Sequence, residues 1–109
     1  MNRSEIVYEL TKLIPKGRVS TYKAIAEASG IDNPRLVGSI LHKNKNPKSV
    51  PCYRVVNAQG RLAVSYAFGG AKAQRSLLKN DSVPFLRGRV DIDKCLWEPS
   101  DRDVHDLNS

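Results

Sequence analysis

Apolar residues in the N-terminal part of the chain recur at the three-to-four spacing of amphipathic helices, in three blocks separated by helix breakers. Ser4 is a candidate cap for a first helix carrying Ile6, Val7, Leu10 and Leu13, and Pro15 to Gly17 ends it. Ser20 or Thr21 caps a short second helix with Tyr22, Ile25 and Ala28, stopped at Gly30. Asn33 as cap and Pro34 at the first helical position start a third, with Leu36, Val37, Ile40 and Leu41 on its inner side. Two short helices joined by a Gly-containing turn read as a helix-turn-helix. The pattern then changes. Arg54 to Val56 and Arg61 to Val64 flank Asn57-Ala58-Gln59-Gly60 as in a small hairpin, and the loop Tyr66-Ala67-Phe68-Gly69-Gly70 leads into a last helix near Ala71 to Asn80. Arg89 to Trp97 alternates weakly, as a strand or an extended segment does, and the polar residues 100–109 read as a frayed tail. The expected fold is mainly α with a small β-hairpin, a winged-helix-like helix-turn-helix domain over residues 1–99 followed by the tail.

A length of 109 residues suits one domain with a modest core. Charge changes the picture more than composition does. The formal net charge is +7, and the excess is regional: residues 33–80 hold nine basic residues and no acidic one. The outer side of the third helix carries Arg35, Ser39, His42 and Lys43, and the loop Asn44-Lys45-Asn46-Pro47-Lys48 follows it. A solvated face would look similar, but the lack of nearby acids favours contact with a polyanion. No apolar run approaches the ~20 residues of a membrane span, and the N-terminus does not lead into a signal-peptide core. A cytoplasmic location is expected, or a nuclear one in a host with a nucleus. Cys52 and Cys95 stand far apart in sequence, which favours reduced thiols, and the two isolated histidines give no metal-ligand spacing.

The chemistry concentrates in Pro51-Cys52-Tyr53-Arg54-Val55-Val56. A free thiol, with a pKa of ~8.5, is only a few per cent thiolate at neutral pH, so a nucleophilic cysteine needs positive charge or a base beside it. Arg54 and the surrounding basic field are the expected source of that charge.

The string from Val50 to Gly60, together with Gly17-Arg18-Val19-Ser20-Thr21-Tyr22 and Asn33-Pro34-Arg35-Leu36-Val37-Gly38, resembles the DNA-binding and acceptor domain of the O6-alkylguanine-DNA alkyltransferases, whose signature is Pro-Cys-His-Arg-Val. The ordered motifs run from about residue 4 to Trp97-Glu98-Pro99. In length the chain is closer to the alkyltransferase-like proteins, which replace the acceptor cysteine. The resemblance implies that Cys52 attacks the alkyl carbon on guanine O6 in a single displacement that uses no cofactor and consumes the protein. It implies a partner, double-stranded DNA containing O6-alkylguanine, whose damaged nucleotide is flipped out at a cost of a few kcal/mol. Arg35 matches the arginine that fills the vacated stack, and Tyr22 the tyrosine that rotates the nucleotide and contacts the base. The recognition helix, with Ser39 and Lys43, is expected in the minor groove, where little sequence is read. Pro51, Val55 and the segment Tyr66, Ala67 and Phe68 match the pocket, with Tyr66 and Phe68 competing for its aromatic wall. Asn44 and Asn46 compete for the hinge, Asn44 slightly ahead.

One departure stands out. Tyr53 occupies the place of the family's histidine, which deprotonates the thiol through water and a glutamate, and Asp81 falls where the glutamate is expected. A phenol with a pKa of ~10 is a poor base at neutral pH. Three readings follow: alkyl transfer sustained by Arg54, a helix dipole and a Tyr53–Asp81 network; a non-catalytic lesion sensor that recruits excision-repair proteins; and a helix-turn-helix regulator. Nothing in the sequence requires a dimer, and a monomer is expected.

Overall fold

The computed structural model describes residues 1–63 and 66–108. Asn2, not Ser4, caps the first helix, α1 (Arg3–Lys12): its side-chain oxygen accepts from the Glu5 backbone N–H at 2.8 Å. Thr21 caps α2 (Tyr22–Ser29), accepting from Ala24 at 3.0 Å, and Gly30 ends it at φ 70°. Asn33 and Pro34 start α3 (Pro34–His42) as expected. The inward residues Val7, Leu10, Ile14, Ile25, Val37, Ile40 and Leu41 form one core among these helices. The Tyr8 hydroxyl ties α1 to the end of α3 by donating to the Ile40 carbonyl at 2.8 Å.

Behind the helices lies a thin β layer. Strand β1 (Ser20–Thr21) pairs in parallel with β2 (Val55–Val56), Ser20 opposite Val55 and Thr21 opposite Val56. The expected hairpin between 54–56 and 61–64 is therefore not formed by its first arm; Val64 of the second lies outside the described residues. The reason is Asn57, whose side-chain oxygen accepts from both Gln59 and Arg61, at 3.0 and 2.7 Å. That closes residues 57–61 into a tight turn instead of a two-strand ladder. Gly60 sits there at φ 80°, with its carbonyl accepting from Val90. A Cβ at this position would collide with the Val90 carbonyl.

The antiparallel hairpin occurs later, between β3 (Phe85–Leu86) and β4 (Arg89–Val90). Its two turn residues, Arg87 and Gly88, both have positive φ, the conformation whose twist suits a two-residue hairpin. A second core of Val19, Val56, Leu78, Val83, Val90 and Cys95 joins this hairpin to α4 (Gly70–Asn80) and α5 (Ile92–Cys95). Residues 96 and 97 return to bridge Val19.

The polar C-terminus is ordered, contrary to expectation. Residues Asp101–Asn108 form α6, opened by a reciprocal cap in which Ser100 N donates to the Asp103 carboxylate and Asp103 N donates to the Ser100 hydroxyl. Val104 and Leu107 pack against the helical core. The fold is thus mostly helical with small strand pairs. No helix is long and apolar enough to cross a membrane among the described residues.

Candidate acceptor site and DNA interface

The loop after α3 is shaped by its own asparagines, and it delivers a donor to the cysteine. Asn44, buried, donates from Nδ2 to the Val50 carbonyl at 2.9 Å and to Cys52 Sγ at 3.4 Å, while its oxygen accepts from Asn46 N at 3.0 Å. Asn46 only turns the loop, accepting from Ser49 N at 3.3 Å. Of the two hinge candidates, Asn44 is the one that touches the sulfur.

Cys52 opens a single 3-10 turn, Cys52–Arg54, held from behind by Gln74. This fully buried amide on α4 donates to the carbonyls of Tyr53 and Val55 at 3.0 and 3.1 Å and accepts from Ala63 N at 2.8 Å. Sequence reasoning missed it, because a lone glutamine on a helix carries no local sign of burial.

Cys52 is buried, 6% exposed, and lines a cavity of about 830 Å³. Tyr22 from α2, Arg35 and Ser39 from α3, and Lys43 directly after it line the same cavity, as do Tyr66 and Ala67. The sulfur and the helix-turn-helix therefore share one opening. Lys23 and Arg61 add further positive charge to this lining; the sequence pattern places Arg61 in the acid-free stretch and in the second arm of the expected hairpin, and does not mark Lys23.

Other expected pocket residues lie elsewhere. Val55 is fully buried in β2 and belongs to the core, because its parallel pairing with Ser20 turns it inward. Pro51 and Phe68 line a separate hollow of about 560 Å³ with Tyr53 and Arg54. Tyr66 borders both spaces, so between the two aromatic candidates it is the wall beside Cys52, with Phe68 edge-on against it at 5.8 Å between centroids.

The network around Tyr53 forms, but with a different consequence from the one expected. The Tyr53 hydroxyl donates to Asp81 Oδ2 at 2.6 Å, and Arg54 Nε meets the same oxygen at 3.2 Å. Arg54 also donates to the Ile14 carbonyl at 2.8 Å. Its charge is engaged by Asp81 and by backbone, so the expectation that Arg54 sustains a thiolate is corrected. Burial pushes the Cys52 thiol above its usual range, opposed by the hydrogen bond from Asn44, by nearby backbone N–H groups and by the neighbouring Tyr66 hydroxyl. Burial also raises Tyr53, and the adjacent Asp81 raises it further. A phenol already donating to a carboxylate holds its proton and is no base for the thiol.

Among the described residues no cluster of His, Cys, Asp or Glu is arranged to hold a metal ion. Cys95 is buried, 2% exposed, and lines neither cavity.

Residues 2–83 match the family model described as the 6-O-methylguanine DNA methyltransferase DNA-binding domain. Among solved structures, S. pombe Atl1 in complex with damaged DNA containing O6-carboxymethylguanine superposes with a TM-score of 0.79 at 26% identity, over 89% of this chain and 95% of that one. The Mycobacterium tuberculosis O6-methylguanine methyltransferase gives 0.67 at 28% identity, over 80% of this chain and 52% of that one. A methylated-DNA--protein-cysteine methyltransferase of Saccharolobus islandicus is 39% identical over 77 residues, 71% of this chain and 48% of that protein. The chain spans less than half the length of the curated relatives it matches.

Proposed function

Because the chain belongs to the family of 6-O-methylguanine DNA methyltransferase DNA-binding domains, we propose that it flips O6-alkylguanine from duplex DNA and transfers the alkyl group to its own Cys52. One observation carries the reading: Cys52, Tyr22 and Arg35 line a single cavity bordered by the recognition helix. Arg35, exposed in the first turn of α3, fills the gap left in the base stack, and Ser39 and Lys43 contact the backbone of the same groove. Tyr22, half-buried beside the sulfur, turns the nucleotide and covers the flipped base.

In the transfer step the Cys52 thiol first loses its proton to water in the cavity. The thiolate then displaces at the alkyl carbon: an S–C bond forms, the C–O6 bond breaks with its electron pair staying on the guanine, and the resulting anion takes a proton from water at N1 to restore the unmodified base. The thioether is permanent, so each molecule acts once. Asn44 stabilises the thiolate by hydrogen bonding, while burial disfavours it. Transfer is consequently slower than in relatives that carry histidine at the position of Tyr53.

A second reading has its own observation. With the Tyr53 hydroxyl committed to Asp81, no side-chain base is assigned to the thiol, which suits a lesion sensor that binds alkylguanine and recruits excision-repair proteins. Intact mass after mixing with an oligonucleotide containing O6-methylguanine separates the two. Transfer adds one methyl, absent in Cys52→Ser; tight lesion binding with no added mass supports the sensor and refutes transfer.

A further inference from the structure

Tyr66 alone among the described residues borders both the cavity that holds Cys52 and the hollow behind the cysteine turn. Its ring packs against the core cluster that includes Cys52. Its hydroxyl is buried and makes no hydrogen bond among the described residues, although it lies near enough to the sulfur for each group to shift the other's acidity. A buried donor without an acceptor is destabilising, so its retention calls for a physical reason, and an acceptor that arrives during function supplies one. Negative charge on Cys52 is the acceptor available in this corner.

We propose that the Tyr66 hydroxyl is a hydrogen-bond donor reserved for negative charge at the acceptor sulfur, completing with Asn44 a two-donor cradle for the Cys52 thiolate. Its part in repair rests on the transfer reading above; its action on the thiol does not. Burial and the neighbouring Cys52 push the Tyr66 phenol up to about 12, so it stays protonated through the neutral range. It donates, and it never takes the thiol proton, which leaves to water. When the thiolate becomes a thioether the sulfur loses its charge, and the donor loses its strong acceptor.

Several titratable groups face the same corner. Tyr22 interacts with Cys52 and Tyr53 with Tyr66, and burial raises both phenols. Arg54 and Asp81 engage each other behind the turn, and Lys23, Arg35, His42, Lys43 and Arg61 line the cavity. All of these remain in Tyr66→Phe, which removes one hydroxyl and keeps the ring.

The test is the pH dependence of Cys52 alkylation by iodoacetamide, read on the Cys52 peptide by mass spectrometry. In Tyr66→Phe the midpoint moves up by about one pH unit, the shift expected from losing one charge-assisted hydrogen bond. The rate at neutral pH falls about threefold, since a roughly tenfold loss of thiolate is partly offset by the greater nucleophilicity of a more basic sulfur. An unmoved midpoint overturns the proposal. If circular dichroism shows that Tyr66→Phe does not fold, 3-fluorotyrosine placed at position 66 provides the converse: a more acidic phenol donates better and lowers the midpoint, and no change overturns the proposal. Iodoacetamide needs no DNA. A moved midpoint in a protein that takes no methyl from DNA therefore refutes the transfer reading while supporting this one.

Discussion

Replacing Gln74 with leucine tests how the cysteine turn is held. The substitution keeps a side chain of similar size at a position with no exposed surface and removes three hydrogen bonds, to Ala63 N, Tyr53 O and Val55 O. Such a bond is worth about 1 kcal/mol net when both partners go, but here each backbone group stays, and one left buried without a partner costs about 1–3 kcal/mol instead. Some relaxation toward water is expected at Ala63, which is only half-buried. The sum is a loss of about 3–5 kcal/mol, a large part of the ~5–15 kcal/mol that stabilises a domain of this kind. Urea denaturation followed by circular dichroism reads it directly. With a slope of about 1.5 kcal/mol per molar, the midpoint falls by roughly 2–3 M with the slope unchanged. In the folded fraction, Cys52 reacts faster with iodoacetamide, because the carbonyls of Tyr53 and Val55 that bracket its turn are no longer anchored. A loss below about 1 kcal/mol would show that water or backbone rearrangement replaces the amide, and the reasoning about the turn would be wrong.

Three further outcomes follow from the site. Tyr53→His accelerates methyl transfer from an O6-methylguanine oligonucleotide at least about tenfold, the low side of what a general base supplies; no acceleration in single-turnover kinetics removes the hydroxyl of Tyr53 as the explanation for slow transfer. Because burial lifts the Cys52 thiol, transfer by the unaltered protein rises about tenfold per pH unit from neutral pH until the thiol's own pKa is passed; a pH-independent rate over that range contradicts the thiolate requirement. Arg35→Ala weakens binding to lesion-containing duplex more than binding to a duplex whose target base is already unpaired, because extruding a paired base costs more and depends more on the side chain that fills its place; fluorescence anisotropy with both duplexes checks this, and equal losses reduce Arg35 to a phosphate contact.

The helical half of the fold was legible because its signals are local. Thr21, Gly30, Asn33 and Pro34 act at their own helix ends, and the apolar spacing places Val37, Ile40 and Leu41 inward. The strand partners were not legible. Val55 and Val56 pair with residues some 35 positions earlier, whereas the apolar pattern suggested a partner across the Asn57 turn. The hydrogen bonds that Asn57 makes to Gln59 and Arg61 were decisive. Two missed elements did carry signals: Arg87-Gly88 at the tip of a two-residue hairpin, and Ser100-x-x-Asp103, a capping pattern that starts α6 in a stretch whose polarity suggested fraying.

At the site, proximity in sequence misled in one respect. Arg54 is two residues from Cys52, but its guanidinium turns to Asp81 and the Ile14 carbonyl, while the more distant Asn44 reaches the sulfur. Gln74 and the unpartnered Tyr66 hydroxyl became visible only with the tertiary structure.

The central claim places the reactive sulfur on the wall of the cavity that receives the damaged base. Tandem mass spectrometry of peptides from protein incubated with O6-methylguanine duplex tests it most directly. The account predicts a methyl group on the Cys52 peptide and none on the peptide containing the buried Cys95. Methyl on Cys95, or on neither cysteine when the lesion has disappeared from the DNA, would contradict it.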